Sequence, residues 1–179
     1  GGITLSGDWE AAWRANLVLR GAGRVLVRLW SFRALHLAQL DKRARKIDWA
    51  SVLRDDVPVR VEATSRKSRI YHAGAAAQRV ARATADTAGP PQADTADVRI
   101  IARMDDDLCT ISIDTSGAPL HGRGFKQAVG KAPMRETLAA LFLDQCGITP
   151  STPVIDPMCG SGTFVLEAAE RAAGLAPGR

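Results

Sequence analysis

Between Val154 and Ala169 the sequence reads VIDPMCGSGTFVLEAA: an apolar pair, then Asp156, Cys159, Gly160 and Gly162 close together, then a helix-forming stretch. Four chemistries use such residues. A metal site is poorly served, because Asp156 and Cys159 supply too few ligands. A nucleotide phosphate loop is excluded by spacing: the glycines stand two apart and no lysine follows Gly162. A dinucleotide fingerprint fails too, since Val165 stands where its third glycine would be. Cys159 near a helix N-terminus would gain thiolate character. No histidine lies nearby to act as its base, so a small side chain packed in a turn is the preferred reading. What remains is a carboxylate placed before a glycine turn, which suits a ligand bearing a cationic amine better than a pyrophosphate. Gly160 and Gly162 let backbone approach that ligand, and the helix start offers unpaired N–H groups. Glu167, on the helix, reads as a capping or packing carboxylate.

Two further clusters have the composition of a nucleic-acid contact. SRKSRIYH puts Arg66, Lys67, Arg69 and Tyr71 side by side at a strand exit: cations for phosphates and one aromatic that could stack. HGRGFKQ repeats the pattern with His121, Arg123, Phe125 and Lys126, and is the more strongly favoured of the two as a nucleic-acid contact. For each the alternative is a solvated loop, and His121 could equally cap a turn. The net charge of +5 is too modest to decide. Its distribution says more. No acidic residue occurs from Ala63 to Ala85 or from Thr115 to Arg135, whereas Asp86 to Asp114 holds seven aspartates against two arginines. Basic faces on an otherwise balanced surface are the footprint of a phosphate-backbone binder.

These residues must be positioned by ordinary elements. GDWEAAWRANLVLRG predicts a helix capped by Asp8 and ending near Gly21 or Gly23. RVLVRLWSF predicts a strand with Val25, Val27 and Leu29 on one face and Leu26 and Trp30 on the other. HLAQLDKRARKIDWASVL predicts one basic helix, VPVRVEATS a strand, and Ala73 to Thr87 an alanine-rich helix. TAGPPQAD is a loop, since its prolines fix φ and remove donors. DVRIIARM and LCTISID, joined by a DDD turn, predict an antiparallel hairpin. The glycines from Gly117 to Gly130 mark a connector and a domain boundary. Pro133 then opens a helix with Met134, Leu138, Leu141 and Phe142 on one face. Last come a two-residue strand at Val154 and Ile155, the glycine turn, and a helix from about Ser161 to Ala173. That strand, turn and helix form the opening unit of a doubly wound sheet, where ligands bind at the carboxyl ends of strands.

Cys109, Cys146 and Cys159 are far apart and form no CxxC pair, which fits a reducing cytoplasm and neither a disulfide scaffold nor a zinc module. No apolar run approaches the roughly 20 residues of a membrane span. The chain opens without Met and closes just after a motif that normally opens a domain, so a fragment is expected.

VIDPMCGSGTFVLEAA, with KAPMRETLAALFL, ISIDTSGAPLHGRGFKQAVG, SRKSRIYHAGAAAQRV and GDWEAAWRANLVLRGAGRVLVRLWSF before it, resembles the THUMP-domain RNA methyltransferases. The likeness is to the bacterial enzymes that methylate guanine N2 in large-subunit (23S) ribosomal RNA. It implies an α+β THUMP domain followed by the beginning of an α/β Rossmann-like methyltransferase domain that uses S-adenosylmethionine. The implied boundaries are residues 1–34 for the remnant of a ferredoxin-like lobe, 35–120 for the THUMP domain, 121–132 for a linker and 133–179 for the start of the methyltransferase domain. Carried over, Asp156 faces the methionine amino end of the cofactor. Pro157, Met158, Cys159, Gly160, Ser161, Gly162 and Thr163 wrap it by backbone, and Thr137 closes the other side. The acidic residue that binds the ribose and the Asn/Asp-Pro-Pro-aromatic motif that holds the flipped base would lie beyond Arg179, so no catalytic residue is expected here and the chain alone should be inactive. The implied partner is ribosomal RNA, with no membrane and no metal. Transfer-RNA guanine methylation and a non-catalytic THUMP RNA-binding module are the alternatives.

Overall fold

A computed structural model describes residues 2–124, 126, 129–130 and 133–178. In chain order its elements are α1 (Trp9–Val18), β1 (Leu26–Arg33), α2 (Leu37–Ala44), a 3-10 turn (Trp49–Ser51), β2 (Val59–Arg66), α3 (Ala73–Ala88), β3 (Val98–Asp105), β4 (Leu108–Asp114), α4 (Glu136–Gln145) and α5 (Thr163–Ala172). They fall into two compact units, residues 26–117 and residues 1–25 with 118–179.

The unit 26–117 is built on one sheet of strand order β1-β4-β3-β2. β1 and β3 run antiparallel to β4, and β2 runs parallel to β3, joined to it through α3. Alternation puts Ile100, Ala102 and Met104 of β3 and Cys109 and Ile111 of β4 on one face. There they are fully buried with Leu40, Ala76 and Val80 of the helices. Each large side chain so buried stabilises the unit by about 1.5–3 kcal/mol. The opposite face carries a cross-strand pair, Arg99 opposite Asp114, both buried and linked by a hydrogen bond, with Glu62 3.2 Å from the same guanidinium. The bond to Asp114 raises the Arg99 pKa above its ordinary value.

The predicted hairpin forms. Its loop is Asp106–Asp107, with φ of 51° and 61°, the left-handed conformation that a two-residue hairpin needs and aspartate tolerates. α3 also forms as predicted, stopped by Gly89 at φ 81°.

Two expectations fail here for tertiary reasons. β1 is bulged between Arg28 and Trp30, so Leu29, Trp30 and Phe32 all pack against the core instead of Trp30 sharing a face with Leu26. The basic helix ends at Ala44 rather than running on past Trp49. The Ala44 carbonyl is taken by Ile47 N–H at 3.2 Å and Trp49 Nε1 at 2.9 Å, and the chain turns to bury Trp49 edge-on to Trp30, ring centroids 5.4 Å apart.

In the unit 1–25 with 118–179, Asp8 caps α1 as predicted, accepting from Ala11 N–H at 2.9 Å. α4 starts at Glu136, after an extended Arg135, so Pro133 and Met134 precede it rather than open it, and it buries Thr137, Ala139, Ala140 and Leu143. The expected face of Leu138, Leu141 and Phe142 stays half-exposed; α5 meets α4 at the Ala140 carbonyl, which accepts from Arg171, and at Phe142, whose ring lies 6.2 Å from that of Phe164. Leu141 instead covers Gly21, where a Cβ would lie 2.6 Å from a Leu141 methyl group. Val154 and Ile155 form no strand among the described residues: a strand exists only by pairing, and every strand found pairs within 26–117. The last helix forms as α5.

Candidate cofactor turn and nucleic-acid surface

The glycine turn is shaped by its own backbone. Asp156 accepts from Met158 N–H at 3.0 Å, folding the chain back on itself, and Gly162 N–H donates to Cys159 O at 2.7 Å. Gly160 and Gly162 have φ of 52° and 73°, a region costly to residues with a Cβ. Gly162 is the residue before α5, which no side chain caps. The start of α5 thus leaves its first N–H groups without a side-chain cap, and the same turn carries a carboxylate whose second oxygen has no partner among the described residues. Space beside Gly160 is open, with no atom within 4 Å of where a Cβ would stand. This donor set fits a ligand that pairs a cationic amine with acceptor atoms lying against backbone.

The other predicted residues fall around the turn in different roles. Met158 and Cys159 are exposed, so Cys159 is not the packed side chain expected of it. Pro157 is exposed as well. Ser161 Oγ accepts from Gly130 N–H at 3.0 Å, and Thr163 Oγ1 donates to Met134 O at 3.4 Å, so both hydroxyls tie the turn to the segment before α4. Thr137 and Thr163 are buried.

The two cation clusters change places. Of HGRGFKQ, Phe125 lies outside the described residues. Arg123, 1% exposed at its side chain, is paired with Glu167, lies 3.5 Å from Glu170, and donates to Arg20 O at 2.7 Å. Burial pushes its guanidinium below the usual arginine range while Glu170 pulls it back up. Lys126 Nζ donates to Met134 O at 2.9 Å and meets Glu136 at 3.0 Å. Both cations are paired inside the protein, and phosphate could reach them only by breaking those pairs, so this structure does not present Arg123 and Lys126 for the expected RNA contact. His121 is partly exposed.

SRKSRIYH, the less favoured cluster, is the open one. Arg66 and Lys67 are exposed and without an acidic partner among the described residues. Tyr71 is 82% exposed beside His72, rings 6.1 Å apart. The β3–β4 hairpin holds this turn: Arg66 O accepts from Asp106 N–H at 3.3 Å, Asp107 N–H donates to Ser68 Oγ at 3.0 Å, and Asp107 accepts from Arg69 N–H at 2.8 Å. Arg69 is partly neutralised by Asp107, 3.7 Å from its Nε.

Sequence reasoning missed the network around Glu167. This buried carboxylate takes Arg20 at 2.9 Å and Arg171 at 3.3 Å as well as Arg123, and Arg171 reaches Asp144 at 2.7 Å. Only Arg171, four residues on along the helix, was readable from spacing. Arg20 stands 147 residues away, and no local pattern signals it. Among the described residues no cluster of three or more metal-ligating side chains occurs, and no helix is long and apolar enough to cross a membrane.

Three family models match the chain in order: the RlmL ferredoxin-like domain at residues 1–26, the THUMP domain at 36–114, and the RMKL-like methyltransferase domain at 123–179. Among curated proteins, "Putative RNA methyltransferase slr0064" of Synechocystis is 32% identical over 99% of this chain and 48% of its own length. Among solved structures, a "predicted N6-adenine-specific DNA methylase" from Listeria monocytogenes is 33% identical with a TM-score of 0.87, over 96% of this chain and 47% of its own. SMU.472, solved in complex with SAH, is 27% identical with a TM-score of 0.86, over 96% of this chain and 48% of its own. The chain thus spans about half the length of these relatives. The three models, ferredoxin-like, THUMP and methyltransferase, follow one another along the chain, and its fold is a THUMP domain followed by a methyltransferase-like α/β arrangement.

Proposed function

We propose that this chain is the RNA-gripping part and the first half of the cofactor pocket of an S-adenosylmethionine-dependent RNA methyltransferase that modifies guanine N2 in 23S ribosomal RNA. The observation that carries this reading is the Asp156–Gly162 turn: an unpaired carboxylate oxygen and uncapped helix N–H groups, on a chain whose THUMP region precedes a methyltransferase region. Asp156 holds the methionine ammonium by charge, and residues Pro157 to Thr163 lie along the cofactor by backbone, with Thr137 behind them. The cofactor supplies an electrophilic methyl group on a sulfonium. A sulfonium donor carries no phosphate, so a lysine at this turn would repel it where a carboxylate attracts. The SAH bound to SMU.472 supports this choice of cofactor.

Relatives' names divide between RNA and DNA as acceptor. The open cations Arg66 and Lys67 with exposed Tyr71, within the THUMP match, suit a single-stranded nucleic acid gripped by phosphate contacts and aromatic stacking, and the relative named as an RNA methyltransferase makes RNA the proposed acceptor. We place the domain boundaries where the compact units divide, at 25/26 and 117/118, so that β1 belongs with the THUMP sheet.

The test is methyl transfer by the full-length protein from labelled S-adenosylmethionine to unmodified 23S ribosomal RNA, transfer RNA and DNA side by side. Label at guanine N2 of ribosomal RNA is expected, and label confined to another acceptor refutes the substrate assignment. Asp156→Ala should abolish SAH binding while leaving RNA affinity within about twofold, since the loss of a charged partner to a cationic ligand costs several kcal/mol. Native SAH affinity in that variant refutes the pocket.

A further inference from the structure

Lys126 belongs to a motif with the composition of an RNA contact, yet its side chain is only 9% exposed and its ammonium is used internally. It donates to the Met134 carbonyl at 2.9 Å and meets Glu136, the first residue of α4, at 3.0 Å. A cation at a helix N-terminus is electrostatically unfavourable by itself, and Glu136 offsets that cost. The Met134 carbonyl accepts a second hydrogen bond, from Thr163 Oγ1 at 3.4 Å. Thr163 is buried, opens α5 and follows Gly162 directly. Two residues before it, Ser161 accepts from Gly130 N–H. The segment that precedes α4 is therefore fastened to the glycine turn on both sides of Gly162, and one carbonyl joins Lys126 to the start of α5.

We propose that Lys126 is a positioning residue for the cofactor turn: its ammonium holds the Met134 carbonyl in place, that carbonyl holds Thr163, and Thr163 sets where the Gly160–Gly162 backbone meets the ligand. This rests on reading the turn as a cofactor site. A carbonyl with two donors is defined in direction by both. Without the ammonium it is free to rotate toward solvent, and a left-handed glycine turn has little intrinsic stiffness to resist the movement.

The experiment is calorimetric titration of the full-length protein with SAH, with thermal unfolding and RNA binding at two salt concentrations measured in parallel. Lys126→Met should weaken SAH about tenfold, in line with loss of a hydrogen bond from a charged group. Lys126→Arg, which can still reach both acceptors, should bind within about threefold of native. Thr163→Val, nearly isosteric, should weaken SAH too, and Lys126→Met with Thr163→Val should be little worse than the weaker single variant, because both act through one carbonyl. The salt slope of RNA binding should not change. Native SAH affinity in Lys126→Met, alongside its loss in Asp156→Ala, overturns the proposal and leaves the pocket standing. Additive effects of the two substitutions, or a reduced salt slope showing phosphate contact, overturn it as well. Native affinity in Asp156→Ala removes the pocket and this proposal together. Should Lys126→Met fail to fold, Thr163→Val against Lys126→Arg decides.

Discussion

Replacing Glu167 by Gln keeps the shape of the side chain and removes only its charge. In the native unit the carboxylate is 1% exposed and is shared by Arg20 at 2.9 Å, Arg171 at 3.3 Å and Arg123. After substitution Arg20 and Arg171 can turn to Glu170 and Asp144, which they already approach at 3.4 Å and 2.7 Å. Arg123 cannot escape, because its side chain is buried and its remaining partners are Glu170 at 3.5 Å and a backbone carbonyl. Breaking a buried ion pair from one side costs about 3–5 kcal/mol. With Glu170 left as a partial partner, the lower end, about 3 kcal/mol, is expected.

For a unit of this size that corresponds to a fall of roughly 12–24 °C in unfolding midpoint. Urea unfolding should be followed by circular dichroism and by tryptophan fluorescence in a Trp9→Phe, Trp13→Phe background, since the remaining tryptophans Trp30 and Trp49 report on the unit 26–117 while Glu167 lies in the other. The far-ultraviolet signal of α1, α4 and α5 should be lost at lower urea and the fluorescence of Trp30 and Trp49 little altered. Adding Arg123→Met should recover part of the loss, because the cost lies in the stranded charge rather than in the missing pair. A shift below about 0.5 kcal/mol, the size of an ordinary surface substitution, would refute the assignment of this network as a buried brace.

Two further outcomes follow from the same structure. Arg66→Ala with Lys67→Ala should lower the salt slope of RNA binding by about two counterions, roughly 0.7–0.9 in slope per phosphate contact, with the unfolding midpoint unchanged; an unaltered slope would make the 66–71 turn an ordinary solvated loop. Burial pushes the Cys109 thiol up to about 12, whereas Cys146 and Cys159 are exposed. A thiol reagent at pH 8 should therefore label the latter two in the folded protein and reach Cys109 only on unfolding, and rapid native labelling at Cys109 would contradict the packing of β4.

What the sequence settled by itself was what neighbours along the chain decide. Asp8 caps α1 because its carboxylate needs only the N–H groups of the next turn. The Asp106–Asp107 loop closes because aspartate tolerates the left-handed conformation between two alternating runs. Gly160 and Gly162 announce a backbone that must pass where a Cβ is costly. Tertiary structure decided the rest. α2 breaks at Ala44 because burying Trp49 outweighs about two and a half more turns of a solvated helix. β1 bulges so that both Leu29 and Trp30 can reach the core. The roles of the two cation clusters were invisible in their composition, which is nearly the same. Arg123 and Lys126 are internal because Glu167 and Glu136 stand opposite them, while Arg66 and Lys67 are open because no carboxylate among the described residues reaches them. Charge along a chain gives the sign of a partner, and only the fold decides whether that partner is already inside the protein.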